Sequence, residues 1–241
     1  MKLDILAIGV HPDDVELSAS GTLLKHIDLG YKVGLLDLTR GELGTRGSAE
    51  IRDVEAEDAA KLMGAIIREN VAMADGFFTW NEENLRRIIR IIRKYQPEIV
   101  LANALDDRHP DHGRAAKLTA DACFYAGLLK IETFDDDGTP QQQWRPKVVY
   151  HYVQDRNLKP DFVVDITPYM EQKIALVLTY RSQFYEANDQ SGYLKTPISG
   201  KDFLDFMYAK GRSFGRDIQV EYAEGFNVAR LPGVRDLFDL V

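Results

Sequence analysis

The chain has 241 residues, enough to bury a substantial core. Its 38 acidic against 30 basic residues give a net charge of −8, which argues against an electrostatic nucleic-acid or anionic-membrane partner. The single cysteine, Cys123, cannot form an internal disulfide, and Asp4 stands where a signal peptide would be apolar. No run reaches the ~20 apolar residues of a membrane span, so the expectation is a soluble, unexported protein of the reducing cytoplasm.

Leu3 to Val10 is an apolar run of branched residues, as in a strand buried on both faces. His11-Pro12-Asp13-Asp14-Val15-Glu16 follows it directly. Val15 to Leu29 then repeats Leu17, Leu24 and Ile27 at helical spacing and is closed by Gly30. Lys32 to Thr39 reads as a second strand, Arg40 to Ser48 as a glycine-rich loop, and Ala49 to Met63 as a helix stopped by Gly64. Ile66 to Ala72 is a third strand. Asn81 caps a helix with Leu85, Ile88, Ile89, Ile92 and Tyr95 on its apolar face and Arg86, Arg87, Arg90 and Arg93 toward solvent, ended by Pro97. Glu98 to Ala102 and Asp111 to Ala126 form the fourth strand and helix.

Beyond an acidic, glutamine-rich loop from Ile131 to Pro146, strands are predicted at Lys147 to Val153 and Asp161 to Ile166, and a helix from about Pro168 to Tyr180. The aromatic-rich remainder, broken by glycines, is predicted to be irregular. Strand and helix alternation implies a mostly parallel sheet with helices on both faces, because parallel neighbours need crossovers. The expected fold is therefore α/β and Rossmann-like, one domain over 1–241, with an irregular C-terminal extension.

Two clusters carry the chemistry. His11-Pro12-Asp13-Asp14 and Asp106-Asp107-Arg108-His109-Pro110-Asp111-His112 each follow a strand and open a helix, which places both at the carboxyl edge of the sheet, where such folds bind ligands. His nitrogen and carboxylate oxygen together suit a zinc ion with one coordination position left for water. A lone histidine at a turn is more often a cap or a solvated side chain, but two His-Pro-Asp triplets on matching turns favour a metal. Asp13 could instead cap the following helix. A nucleotide-binding reading is disfavoured, since the first turn lacks Gly-x-Gly-x-x-Gly and presents carboxylates to a pyrophosphate.

These paired motifs resemble those of the LmbE/PIG-L family of zinc-dependent N-acetylglucosaminyl deacetylases. The similarity extends through Thr39 to Gly47, Arg52 and Glu55, and Tyr222-Ala223-Glu224-Gly225-Phe226; Ser18-Ala19-Ser20-Gly21 departs from a stretch the family makes richer in glycine. The resemblance implies His11, Asp14 and His112 as ligands of Zn2+, with Fe2+ able to fit the same set, and Asp13 as general base. It implies His109, oriented by Asp111, as a second catalytic group acting on the oxyanion or the leaving nitrogen. Tyr193, beside Gly192, is matched to a mobile oxyanion donor, though a packed tyrosine with a wet hydroxyl reads equally well. Arg52 is matched to a substrate-carboxylate clamp, with a surface salt bridge to Glu55 or Glu57 as the alternative. Arg108 is a candidate for a substrate anion, while His26 and His151 read as structural.

Within that family the chain most resembles the bacillithiol-pathway enzymes acting on N-acetylglucosaminyl malate; N,N'-diacetylchitobiose or another N-acetylglucosamine conjugate is the alternative. A metal-dependent phosphoesterase is a further reading, although two-metal versions need more bridging carboxylates. The resemblance also implies a homo-oligomer, often a hexamer.

Overall fold

The computed structural model describes residues 1–185 and 191–239. In chain order the elements are β1 (Ile5–Gly9), α1 (Asp14–Asp28), β2 (Val33–Asp37), α2 (Ala49–Met63), β3 (Ile67–Asn70), α3 (Glu82–Tyr95), β4 (Ile99–Ala102), α4 (Pro110–Ala126), β5 (Val148–Tyr152), β6 (Phe162–Asp165), α5 (Met170–Val177), α6 (Lys201–Asp217) and β7 (Ala223–Val228). They build one seven-stranded sheet in the order β3-β2-β1-β4-β5-β7-β6. The first five of these strands pair in parallel, and β7 enters antiparallel between β5 and β6.

Period-two alternation divides the core. Leu6 and Ile8 of β1 join Ile88, Ile92, Leu118 and Ala122 of α3 and α4 on one face, while Ile5 and Ala7 join Ala19, Leu23 and Met63 of α1 and α2 on the other. This sandwiching makes β1 buried along its whole length. Because β1 and β4 are neighbours whose chains continue to opposite sides, the crevice at their carboxyl ends is the topological switch point of the sheet. Both histidine motifs leave the sheet there.

Two expectations are corrected. The C-terminal third is not irregular: α6 and β7 occupy it, and β7 is an interior strand. Glycine and aromatic residues lower intrinsic helix propensity, yet here a glycine answers to close packing: a Cβ on Gly215 would lie 2.6 Å from the Val220 carbonyl oxygen, where the chain turns back into β7. Arg93 is likewise not a solvent-facing residue of α3. It is buried and donates to the carbonyls of Ala126, Leu128 and Ile131 and to Thr133, fastening the loop after α4. Among the described residues, no helix is long and apolar enough to cross a membrane.

A buried ion pair locks the C-terminal elements onto α1. The Glu224 carboxylate accepts the amides of Gly21 and Thr22 at 3.0 and 2.7 Å, while Lys173 of α5 donates to Glu224 at 2.6 Å and to the Leu17 carbonyl at 2.7 Å. Gly21 is required at this seam, since a Cβ there would lie 2.8 Å from Ile166.

Candidate metal centre and active site

Asp14 organises the turn after β1. Its Oδ2 accepts the amides of Val10 and His11 and the Asn103 side-chain amide, each at 2.9 Å, and its Oδ1 accepts Gln154 Nε2 at 3.1 Å. The carboxylate lies between two imidazoles: His11 Nδ1 is 3.7 Å from Oδ2 and His112 Nε2 is 3.1 Å from Oδ1. Each ring is oriented from behind by another carboxylate. His11 Nε2 is 3.0 Å from Asp75, and His112 Nδ1 hydrogen-bonds Asp107. One nitrogen of each histidine is therefore held by an acid and the other is turned toward Asp14, the arrangement that fixes metal-ligating histidines.

Asp75 and Asp107 escaped the sequence reading as site residues. Asp75 follows β3 in a segment without pattern, and it is set by the Leu43 amide on its Oδ2 and by Glu42 accepting its own amide, both at 2.9 Å. Asp107 was visible inside the second motif, but only the fold shows that its carboxylate reaches His112.

Ligand nitrogens of His11, His109 and His112 also fall within 4.8 Å of one another. Carboxylates crowd both imidazoles and set their titration. Burial pulls the His11 imidazolium down, but the neighbouring carboxylates of Asp111 and Asp75 and the charge of Asp14 outweigh it and raise its pKa to about 10. For His112 burial is likewise outweighed, by Asp14 and Asp107, and the pKa rises to about 9. Asp14 moves the other way: burial raises it, and the neighbouring His112 and His11 bring it well below the usual carboxylate range. Two imidazole nitrogens and a carboxylate, preoriented and surrounded by buried acids, form a donor set that fits zinc or ferrous iron.

Asp13 stands beside this centre. It occupies the N-cap position of α1 with φ 121° and ψ −23°, a conformation L residues rarely adopt, and its side chain makes no capping bond. Its Oδ2 instead accepts Arg52 Nη2 at 2.9 Å. Burial raises the Asp13 carboxyl to about 7, opposed chiefly by the Arg52 charge. Arg52 is not the surface residue of the alternative reading: it is buried, and Nη2 and Nη1 also donate to the carbonyls of Pro12 and Gly41 at 2.6 and 3.3 Å. Its Nε alone is buried without a hydrogen-bond partner.

His109 is the N-cap of α4. Its Nδ1 accepts the Asp111 amide at 3.3 Å, so the neutral ring carries its proton on Nε2. Burial, and then the charges of His11 and His112, lower its pKa. Asp111 contacts His109 through its backbone amide and not through its carboxylate. The carboxylate turns away to the Gly76 amide and Arg114 and lies 3.7 Å from His11 Nε2, so it is the backbone of Asp111 that holds His109.

A cavity of about 300 Å³ opens over the centre, and its lining includes His11, Asp13, Asp14, Arg52, His109 and His112. Phe203, Phe206, Met207, Lys210 and Phe214 of α6 line it as well. Arg108 is at its rim, half exposed, and pairs with Asp155 at 2.8 Å. Tyr193 lies outside the cavity lining, with its ring 5.3 Å from the Arg46 guanidinium. His26 and His151 make local backbone contacts, to the carbonyls of Thr22 and Asn103.

Fold and donor cluster together define an α/β enzyme with a cation-binding centre at the switch point of its sheet. The profile of the PIG-L family, described as GlcNAc-PI de-N-acetylase, matches residues 6–123. A diacetylchitobiose deacetylase of Thermococcus kodakarensis is 31% identical over 76% of this chain and 70% of its own length. The 4-oxalmesaconate hydratase of Pseudomonas putida is 25% identical over 71% of this chain and 70% of its own. Among solved structures, the conserved protein TT1542 of Thermus thermophilus superposes with a TM-score of 0.84 at 33% identity, covering 98% of both chains. The chain belongs to the PIG-L family and is an N-deacetylase.

Proposed function

We propose that the protein hydrolyses the acetamide of N-acetylglucosaminyl malate, with Zn2+ held by His11, Asp14 and His112. The observation that carries this reading is the turning of His11 Nδ1 and His112 Nε2 toward Asp14, with the Asp13 carboxylate buried alongside in the same cavity. Bound there, zinc would polarise the acetyl carbonyl and acidify water toward a pKa of ~7. The remaining steps belong to the chain. Asp13, whose ionised form the Arg52 charge favours against burial, takes the proton of the attacking water as the water oxygen adds to the acetyl carbon. The Nε2 proton of His109 is a donor for the developing oxyanion. As the carbon–nitrogen bond breaks, Asp13 returns its proton to the amine, giving acetate and the free amino sugar.

A second reading keeps the chemistry and changes the substrate to diacetylchitobiose, favoured by the Thermococcus relative of that name and by the phenylalanine rings of α6, which suit a sugar face. The deciding experiment measures acetate release from both compounds, before and after chelation and with zinc added back. Chelator-sensitive release from the malate conjugate is expected. Release from diacetylchitobiose alone would select the second reading, and no release from either by the zinc-loaded protein would refute both.

A further inference from the structure

The lysines and arginines lining the cavity are Arg52, Arg108, Lys173 and Lys210. Arg52 is paired with Asp13, Arg108 with Asp155 and Lys173 with Glu224. Lys210 alone has no carboxylate within ion-pair distance among the described residues. Its ammonium is held between rings of its own helix, 5.8 Å from the Phe206 centroid and 6.0 Å from that of Phe214. Asp107 and Asp155 act on it only at a distance, and both are already engaged, by His112 and the Arg156 amide and by Arg108. A charge kept in an apolar wall without a partner costs free energy, which an anionic ligand group would recover.

We propose that Lys210 binds an anionic group of the substrate, so that the cavity selects conjugates of N-acetylglucosamine bearing a carboxylate or phosphate over neutral ones. The inference rests on the deacetylase reading and deepens it. Burial lowers the Lys210 ammonium to about 8, so an arriving anion also completes its protonation. The Phe206 and Phe214 rings flank the ammonium and lower its access to solvent, which strengthens a pair formed there. Lys210 lies on α6, in the stretch whose sequence pattern predicts no regular structure, so nothing in the motifs points to it.

The test compares the zinc-loaded protein with its Lys210→Met and Lys210→Arg variants on three compounds: N-acetylglucosaminyl malate, N-acetylglucosamine 1-phosphate and neutral diacetylchitobiose. In Lys210→Met the kcat/KM ratio of an anionic to the neutral compound is expected to fall about tenfold or more, through KM rather than kcat, and Lys210→Arg is expected to restore most of it. The anionic compound that loses more identifies carboxylate or phosphate as the partner. An equal loss on all three, or an unchanged ratio, would overturn the proposal. If the parent protein hydrolyses none of them, the deacetylase reading fails by itself. Calorimetric titration with the two anionic compounds then decides: binding at least tenfold weaker in Lys210→Met supports the lysine site, and equal or absent binding overturns it. Lys210→Gln replaces the methionine variant if the latter does not fold.

Discussion

Arg52 Nη2 donates to Asp13 Oδ2 at 2.9 Å, and both side chains are less than a tenth exposed. Burial and the guanidinium charge push the Asp13 carboxyl in opposite directions, and burial prevails. Removing the arginine takes away the largest influence opposing burial, so the carboxyl holds its proton to higher pH and less of it is in the base form at any given pH. In Arg52→Gln the acid limb of kcat/KM is therefore expected to move to higher pH. Arg52→Lys should shift it less, because the charge remains although the bonds to Pro12 and Gly41 cannot all be kept. A pH–rate profile of the three proteins is the measurement, and an unmoved acid limb would show that Asp13 is not the base.

Asp13 and His112 are expected to separate chemistry from metal binding. Asp13 makes its bond to Arg52 and lies beside the donor set, whereas His112 points Nε2 at Asp14. Asp13→Asn should retain stoichiometric zinc and lose about 10²–10⁴-fold in kcat. His112→Ala should lose zinc itself, and Asp107→Asn, which releases only the far side of that ring, should weaken affinity about 10–100-fold. Metal analysis after dialysis, paired with acetate release, distinguishes the three. Full occupancy with a normal rate in both Asp13→Asn and His112→Ala would sink the mechanism.

The parts of the site that could be read in the sequence are those adjacent to strands. His11 and Asp14 on one turn and His109 and His112 on another are placed by β1 and β4, whose apolar runs are unmistakable and whose neighbourhood follows from the parallel topology. Asp75 was not legible, because its contact with His11 spans 64 residues and depends on how the loop after β2 folds over the chain after β3. Arg52 was legible as a residue but not in its role: helical spacing cannot say that this face of α2 is covered by the turn carrying Asp13. The C-terminal third failed for a different reason. Glycine reads as a breaker, yet Gly215 is inside a helix because the backbone of β7's approach leaves no room for a Cβ.

The Lys173–Glu224 pair is predicted to be a stability determinant rather than a catalytic one. Both side chains are buried, and besides each other they satisfy the amides of Gly21 and Thr22 and the carbonyl of Leu17. Glu224→Gln would leave a buried ammonium without its counter-charge, which costs about 3–5 kcal/mol for such pairs. Denaturant unfolding of the metal-free protein should show that loss, with Lys173→Met/Glu224→Gln less destabilised than Glu224→Gln alone. Equal midpoints for the parent and Glu224→Gln would mean that the pair contributes nothing net.

Cys123 supplies a probe of the intact core. The thiol lies under α3 in the cluster that includes Leu118, Ala122 and Ile92, is 3% exposed, and is pushed up to about 12 by burial. Thiolate is the reactive form, and at pH 8 such a group is ionised in about one molecule in ten thousand. The native protein is therefore expected to resist thiol-directed reagents, with and without zinc, since Cys123 is not part of the donor clusters around His11. Labelling should appear only as the core opens, at a rate that follows unfolding as denaturant is raised. Fast labelling of the native protein would mean that the α3–α4 face of the sheet opens locally, and that the core is less continuous than its packing implies.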